Sequence, residues 1–173
     1  MSKKLSYLIS WGSMATIALM LIVLFSFLID IAWFAELAQS NLRLPIYWTT
    51  VEQWQWYLLW ASTAVYLAIG LFGLYFLHLA FRKIATGELF NLANSLNIRR
   101  FSILLLVQAL AKPICFSGAS VLLSLNHPEG EKVFSLFFGS QELTLIALAM
   151  IFWVVSDLLV AGSRLQSENR QFI

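Results

Sequence analysis

Four polar side chains within otherwise apolar segments are the residues of this sequence that could do chemistry. They are His78, Gln108, Lys112 and Asp157, each flanked by aliphatic and aromatic residues. Groups of this kind are costly in lipid, so they mark ion pairs, ion or proton pathways, or polar cavities. Gln108 and Lys112 are one helical turn apart and therefore share a face. We predict that these residues form an intramembrane polar cluster.

Asp157 is the acidic residue that we expect to pair with Lys112. At about 1.5 Å per residue, Lys112 lies about 16 Å from the inner boundary expected at Phe101, and Asp157 lies about 6 Å from it. Helical side chains tilt toward the N-terminus of their helix, which carries the Lys112 ammonium inward and makes the pair geometrically plausible. A proton or ion relay that includes His78, snorkelling of the lysine, and a water-filled cavity are the alternatives.

Motifs of enzymes and cofactor sites are missing from the sequence. It has no glycine-rich phosphate loop, no Gly-x-Ser-x-Gly and no His-Glu-x-x-His. His78 and His127 fall on opposite sides of the expected membrane, so they cannot share a haem or a zinc ion. The single cysteine, Cys115, excludes a disulfide scaffold, and a net charge of +2 is too small for a nucleic-acid-binding surface. We expect no catalytic residue, no metal and no cofactor.

The elements that must position these residues are long apolar segments. Of 173 residues, 60% are hydrophobic, 15% are aromatic and 12% are charged, and the mean hydropathy is +0.80. This apolar surface exceeds what a small soluble core could bury. About 20 helical residues cross a bilayer, and four segments are long enough: 7–29, 56–81, 101–125 and 143–161. We predict an all-α polytopic membrane protein, a single domain with a bundle of four transmembrane helices.

The basic residues predict which ends of the spans face the cytoplasm, where lysine and arginine are retained. The loops after spans one and three carry only Arg43 and Lys132 beside several acidic residues. The termini and the loop after span two carry Lys3, Lys4, Arg82, Lys83, Arg99, Arg100, Arg164 and Arg170. We therefore predict that both termini are cytoplasmic.

The first outer loop, at about 31–55, is the longest segment between spans and is rich in aromatic residues. Such rings suit the headgroup region, so an aromatic belt is favoured over a ligand cage. The rings belong to Trp33, Phe34, Tyr47, Trp48, Trp54, Trp56 and Tyr57. The run Thr49-Thr50-Val51-Glu52 has the pattern of a capping box, which predicts that the second spanning helix begins at Thr49 or Thr50.

The inner loop at 82–100 has the pattern of a short amphipathic helix. Gly87 is suited to end the second spanning helix, because glycine readily adopts the left-handed conformation of a C-terminal cap. Asn91 is suited to be the N-cap of a new helix. The apolar face of that helix consists of Leu89, Leu92, Ala93 and Leu96, opposite Asn91, Asn94 and Ser95. We predict a short interfacial helix on the cytoplasmic surface, either a connector with Arg99 and Arg100 at the headgroups or a surface for a partner.

Two runs of the sequence carry a family resemblance. They are Thr86-Gly87-Glu88-Leu89-Phe90-Asn91 after the basic pair Arg82-Lys83, and the C-terminal stretch from Gly162 to Ile173. The chain resembles an uncharacterised family of bacterial four-helix membrane proteins, a domain of unknown function. Members are often encoded beside a small helix-turn-helix regulator. The resemblance implies a bacterial inner-membrane location and a cytosolic partner, whereas the Trp-rich outer loop and Lys112-Pro113 depart from the family pattern.

Two functional hypotheses follow, neither of them enzymatic. In the first, which depends on the resemblance, the chain binds or restrains a cytosolic partner such as a small transcriptional regulator. That surface would consist of Gly87, Phe90, Leu92, Leu96, Arg99, Arg100, Leu165 and Glu168. In the second, the chain is a small transporter or membrane sensor that uses the intramembrane polar cluster.

Overall fold

The computed structural model describes residues 3–87 and 91–169, with side chains described as far as Leu165. Regular structure in this part of the chain is helical throughout: α1 (Lys3–Ile29), α2 (Ile31–Asn41), α3 (Gln53–Ala85), α4 (Leu92–Leu123) and α5 (Ser140–Asn169). Four helices are long and apolar enough to cross a membrane: α1, α3, α4 and Ser140–Leu165 of α5. The predicted all-α architecture with four spanning helices is confirmed, and the chain is a multi-pass membrane protein.

The spanning helices extend further than the hydropathy pattern predicted. α3 has 33 residues and α4 has 32, against expected spans of 56–81 and 101–125. At about 1.5 Å per residue both are close to 50 Å long, well above the roughly 30 Å of a hydrocarbon core. Their ends therefore project beyond the hydrocarbon into the headgroup regions.

The spanning helices pack in chain order, α1 against α3, α3 against α4 and α4 against α5. Neighbours are antiparallel. Near the C-terminal end of α1, the Trp60 indole N–H of α3 donates to the Leu24 carbonyl at 3.1 Å. Near the N-terminal end of α1, Ser10 contacts His78 of α3 at 3.0 Å. α3 and α4 each have a spanning helix on either side, and α4 is the most buried of the four spans.

Buried serines form hydrogen bonds between the spanning helices. Between α4 and α5, the Ser102 hydroxyl donates to the Ala149 carbonyl at 2.7 Å, and the Ser156 hydroxyl donates to the Ser95 carbonyl at 2.9 Å. Buried serines also lie on α1, at Ser6, Ser10 and Ser13. In lipid, small side chains let helices approach closely and interhelical hydrogen bonds replace the hydrophobic effect as the attraction between helices.

An apolar cap covers the outer ends of α3 and α4. α2 begins after Asp30, whose carboxylate accepts from the Trp33 backbone N–H at 3.1 Å. The core of the cap consists of Phe34, Leu44, Ile46, Trp56, Leu59, Ala119 and Leu123. Trp33, Tyr47, Trp54 and Tyr57 are exposed, as an aromatic belt requires. Phe34 and Trp56 were expected in that belt but pack inside the protein, because α2 folds back over the helix ends.

The second spanning helix begins later than the Thr49-Thr50 position that was predicted. Trp48–Thr50 form a single 3-10 turn, and α3 starts at Gln53 with Glu52 as its N-cap. The Gln55 side-chain oxygen accepts from the Glu52 backbone N–H at 2.7 Å. The capping interaction therefore lies three residues further along the chain, because the threonines are already used in the preceding turn.

The inner segment at 91–100 is helical, but it is the first part of α4 and not a separate interfacial helix. Asn91 caps it as predicted, and its side chain accepts from the Ala93 N–H at 2.9 Å. Gly87 follows the end of α3 with φ +96°, the left-handed conformation expected of it. Leu89 and Phe90 lie outside the described residues.

The amphipathic pattern of this segment is correct, but its orientation is reversed. Asn94 and Ser95 are fully buried against the protein, whereas Leu92 and Leu96 face outward. A bilayer solvates leucine, while buried polar groups need protein partners. The polar face therefore packs inward, opposite to the arrangement of a helix that lies on a membrane surface.

Candidate functional site

Lys112 lies at the centre of the polar site, but its ion-pair partner is not the predicted one. Its Nζ lies 2.6 Å from Glu142 Oε1 and donates to Gln141 Oε1 at 2.6 Å. Both partners belong to the first turn of α5. The expected pair with Asp157 is wrong, because Asp157 instead faces Arg99, with Oδ1 and Nη1 4.0 Å apart.

The register of α4 against α5 explains this difference. The Phe101 ring of α4 packs edge-on against the Phe152 ring in the middle of α5, with centroids 4.9 Å apart. The sequence interpretation had instead aligned Phe101 with the end of the fourth span. In the observed register Asp157 lies beside the first turns of α4, and it is about 22 Å further along α5 than Glu142, the residue that contacts Lys112. A lysine side chain is too short to reach across that distance, whatever its tilt.

Glu142 is the enclosed member of the ion pair. Its side chain is 0% exposed, whereas the Lys112 side chain is 30% exposed. The second carboxylate oxygen, Oε2, accepts from the Gly139 backbone N–H at 2.6 Å. Its position in the first turn also places the negative charge at the positive end of the helix dipole. We call this ion pair one-sided, because its carboxylate is covered by protein whereas its ammonium group is accessible.

An extended segment at 131–139 brings the start of α5 to the depth of the lysine. It runs along the outer half of α4, where serines bind its backbone. The Ser124 hydroxyl oxygen accepts from the Val133 N–H at 2.9 Å, and the Ser120 hydroxyl oxygen accepts from the Ser135 N–H at 3.0 Å. Non-helical backbone at membrane depth requires such partners. The serines of α4 thus position the segment that leads into the acidic first turn of α5.

A cleft of about 500 Å³ opens beside Lys112, between α2, α3 and α4. Its apolar walls are formed by Phe34, Leu37, Ala38, Leu42, Leu59, Phe116 and Ala119. Its polar lining consists of Asn41, Ser62, Thr63, Tyr66, Lys112 and Cys115. Among these lining residues Lys112 alone carries a charge at neutral pH. The arrangement suits a ligand that has one polar end and a hydrocarbon body.

Tyr66 belongs to the polar lining of this cleft, whereas Gln108 lines a separate cavity of about 200 Å³. The Tyr66 hydroxyl interacts with the Gln108 side chain and lies within electrostatic range of Lys112. The Gln108 amide also lies against the backbone of Gly70, where an added methyl group would come within 2.7 Å of Nε2. Of the predicted cluster, Gln108 and Lys112 lie one turn apart on α4, and Lys112 lines the cleft together with Tyr66 of the neighbouring helix.

His78 does not join this cluster. Its Nδ1 lies 2.9 Å from the Ser10 carbonyl oxygen, near the inner ends of α1 and α3. His127 follows α4 at the opposite end of the helices, where its Nε2 accepts from the Tyr47 backbone N–H at 3.0 Å. In the part of the chain that the structure describes, no three His, Cys, Asp or Glu side chains lie close enough together to hold a metal ion.

The arginines of the predicted partner surface pack on aromatic rings at the inner ends of the helices. The Arg99 guanidinium lies 4.7 Å from the centroid of the Trp153 ring, and the Arg100 guanidinium lies 5.3 Å from that of Phe76. A guanidinium over an aromatic face is held by cation–π attraction. Both arginines therefore have structural contacts between neighbouring helices.

The apolar members of the predicted partner surface are exposed. Leu92, Leu96 and Leu165 expose 55%, 42% and 62% of their surface. Exposure of leucine in a membrane protein is compatible with contact to lipid and with contact to a protein. Phe90 and the side chain of Glu168 lie outside the described residues.

Gln141 and Glu142 are the site residues that sequence reasoning missed. The expected span at 143–161 left both of them in the outer loop. A signal was present in Ser140-Gln141-Glu142, because a serine followed by an acidic residue in the first turn is typical of a helix N-terminus. An earlier start for the fourth span would have placed a carboxylate within reach of Lys112.

No family model, no curated protein and no solved structure matches this chain. The resemblance of the inner loop and tail to bacterial four-helix membrane proteins therefore stays a prediction. Function is inferred from the geometry around Lys112.

Proposed function

We propose that this membrane protein is a sensor or carrier that binds an amphiphilic anion in the cleft beside Lys112. The observation that supports the proposal is the one-sided ion pair: Glu142 is enclosed, while the lysine lines an apolar cleft of about 500 Å³. A ligand with an acidic head group and a hydrocarbon chain matches both features. Its head group contacts the ammonium, and its chain lies against α2.

The hydrogen-bonding capacity of the lysine supports this assignment. An ammonium group has three donors, and Glu142 and Gln141 accept from two of them. The third donor remains for a ligand oxygen in the cleft, which Lys112 and Tyr66 both line. The volume also lies within the roughly 300–1,000 Å³ that is usual for small-molecule sites.

The energetics of buried charge favour a binding role over a purely structural one. Apolar residues of similar volume often stabilise a protein as well as a buried ion pair does. Ionisable groups within membrane spans are by default functional candidates, particularly where they line a cavity. The pair of Lys112 and Glu142 meets that criterion, because one member lines the cleft and the other holds it in place.

The proposal is tested by measuring the binding of a fluorescent long-chain carboxylic acid to the full-length protein in neutral detergent. The methyl ester of the same acid is the uncharged probe. The double variant Lys112→Met/Glu142→Leu removes both charges and leaves neither unpaired. We expect it to bind the acid at least about tenfold more weakly, equivalent to about 1.4 kcal/mol, with little change for the ester.

The matched control is Arg99→Gln/Asp157→Asn, which removes one positive and one negative charge at the exposed pair far from the cleft. It should bind the acid like the wild type. Equal affinity of the acid for the wild type and the Lys112 double variant would contradict the proposal.

The proposed location is a bacterial inner membrane, with both termini cytoplasmic. It is supported by the distribution of basic residues and by the resemblance of the inner loop. Reporter fusions at residue 169 and at Gly130 test the orientation, since the first should be active only as a cytoplasmic reporter and the second only as an external one. The reverse pattern of reporter activity would contradict the proposed orientation.

A second candidate function is the binding of a cytosolic protein, such as a small helix-turn-helix regulator. It is favoured by the last turns of α5, which continue to Asn169 through the polar and charged run that follows Gly162. Capture from native membranes in mild detergent tests it. Truncation after Gly162, or Leu92→Asp with Leu96→Asp, should remove a stoichiometric partner, whereas the Lys112 double variant should retain it. Neither candidate function assigns a catalytic step.

A further inference from the structure

A second cavity, of about 320 Å³, lies at the opposite end of the molecule from the Lys112 cleft. It is formed between the first turns of α1 and the last turns of α3, and Tyr7, Ser10, Trp11, Met14, His78 and Arg82 line it. Ser10 lies about 10 Å from the start of α1, and His78 lies about 10 Å from the end of α3. This depth is that of the boundary between headgroups and acyl chains, on the side where the basic residues are concentrated.

His78 presents a defined hydrogen-bonding atom to this cavity. Its Nδ1 lies 2.9 Å from the Ser10 carbonyl oxygen and 3.0 Å from the Ser10 hydroxyl oxygen. The carbonyl can only accept, so the tautomer that satisfies it has its proton on Nδ1 and its lone pair on Nε2. Within the described residues, no hydrogen-bond partner contacts Nε2. The histidine can therefore accept a hydrogen bond from a ligand hydroxyl while it stays bound to α1.

Arg82 lies one helical turn beyond His78 and supplies the positive charge of the cavity. A guanidinium presents parallel donors that match two oxygens of a phosphate. Trp11 and Tyr7 are 71% and 44% exposed, and rings of this type occupy the headgroup level of a bilayer. Met14 lies toward the apolar end, where an acyl chain would continue.

We propose that this cavity binds an anionic phospholipid whose head group carries a free hydroxyl. Arg82 contacts the phosphodiester, His78 Nε2 accepts from the headgroup hydroxyl, and the acyl chains pass Met14 into the bilayer. Phosphatidylglycerol is the simplest lipid with this chemistry and serves as the probe. The site is independent of the Lys112 cleft, so either assignment can fail without the other.

The experiment is a titration of the full-length protein in neutral detergent, with bound lipid counted by native mass spectrometry. Phosphatidylglycerol is compared with phosphatidic acid, which is anionic but lacks the headgroup hydroxyl, and with zwitterionic phosphatidylcholine. Soluble glycerol phosphate distinguishes a lipid site from a site for a free phosphate. We expect phosphatidylglycerol to bind about tenfold more tightly than phosphatidylcholine and measurably more tightly than phosphatidic acid.

Three variants separate the site from the general attraction of basic residues for anionic lipid. Arg82→Gln should lose about tenfold in affinity for phosphatidylglycerol. Lys83→Gln removes the same charge one residue along, outside the cavity lining, and should change that affinity by less than about twofold. His78→Asn keeps a side-chain N–H for the Ser10 carbonyl but lacks Nε2, so it should abolish the preference for phosphatidylglycerol over phosphatidic acid.

Equal losses in Arg82→Gln and Lys83→Gln would overturn the proposal, because surface charge alone would then explain binding. An unchanged lipid preference in His78→Asn would overturn the role of the histidine. Glycerol phosphate that binds as tightly as the lipid would overturn the lipid assignment. The helical circular dichroism of each variant shows whether it is folded, and Arg82→Lys, which keeps the charge and loses the planar fork, should retain an intermediate affinity.

Discussion

Lys112→Met should destabilise the protein strongly, because it leaves a buried carboxylate without its counter-ion. The Glu142 side chain is 0% exposed, and the Gly139 N–H would be its remaining partner among the contacts described. Removing one member of a buried ion pair costs about 3–5 kcal/mol. In the double variant Lys112→Met/Glu142→Leu no charge is left unpaired, so the expected loss in unfolding free energy is below about 1 kcal/mol.

The assay is unfolding of the purified protein in mixed micelles by a denaturing detergent, followed by far-ultraviolet circular dichroism. The second substitution should restore at least about 2 kcal/mol of the stability lost in the single variant. Asp157→Asn is the control, because its pair with Arg99 spans 4.0 Å between half-exposed side chains and is worth at most about 1 kcal/mol. A double variant as unstable as Lys112→Met would refute the assignment of Glu142 as counter-ion.

Three further predictions concern individual contacts. Ser102→Ala should lower the unfolding free energy by about 1 kcal/mol in the same assay, because it removes a buried hydrogen bond to α5. Ser26→Ala removes an exposed hydrogen bond and should have little effect. Equal losses of stability in the two variants would contradict this prediction. Gly87→Ala should lower the unfolding free energy by about 1 kcal/mol, because φ at this position is +96°. Gly12→Ala should not destabilise the protein, because a methyl group there meets nothing within 4 Å. Unchanged stability of Gly87→Ala would contradict this prediction. The Glu131 carboxylate accepts a hydrogen bond from Tyr47 and adds its negative charge, which raises the pKa of that phenol. This contribution to stability is present below the unfolded pKa of about 10 and is lost as the pH rises through the folded pKa. Glu131→Gln should therefore lower the pKa of one phenol in a spectrophotometric titration, and the same difference persisting in a Tyr47→Phe background would contradict the assignment.

Local features of the chain could be predicted from the sequence because they depend on neighbouring residues. Asn91 caps α4 through a bond to Ala93, and Gly87 takes the left-handed conformation after α3. Both follow from the backbone preferences of single residues. The start of α3 was misplaced because the threonines fit the preferred N-cap residues, whereas the N-cap that the structure uses is Glu52, a residue that the rule does not favour.

The candidate site could be predicted only in part. Gln108 and Lys112 lie together because their spacing puts them on one face of a single helix. The carboxylate that pairs with the lysine depends on how far α5 slides along α4, which hydropathy does not specify. Serine hydrogen bonds and the packing of Phe101 on Phe152 select the observed register, and so Glu142 takes the place expected of Asp157.

Leu92 and Leu96 show how one pattern is compatible with two structures. An apolar stripe opposite Asn94 and Ser95 describes a helix lying on a membrane equally well as one packed inside it. Periodicity identifies which residues share a face, but it does not say whether lipid or protein covers that face. The polar face packs inward because α5 offers partners such as the Ser156 hydroxyl for the adjacent backbone.

The sequence by itself determined that this is a helical membrane protein with four spans, because apolar length and the absence of charge are properties of each segment alone. It also determined that Lys112 belongs to one of these four apolar helices. Only the tertiary structure decided the counter-ion of that lysine, the cleft beside it, and the separation of His78 into a second cavity. The physical reason is that helix register and the placement of α2 depend on contacts between residues that are distant in the chain. The energies of these contacts cannot be read from any one segment by itself.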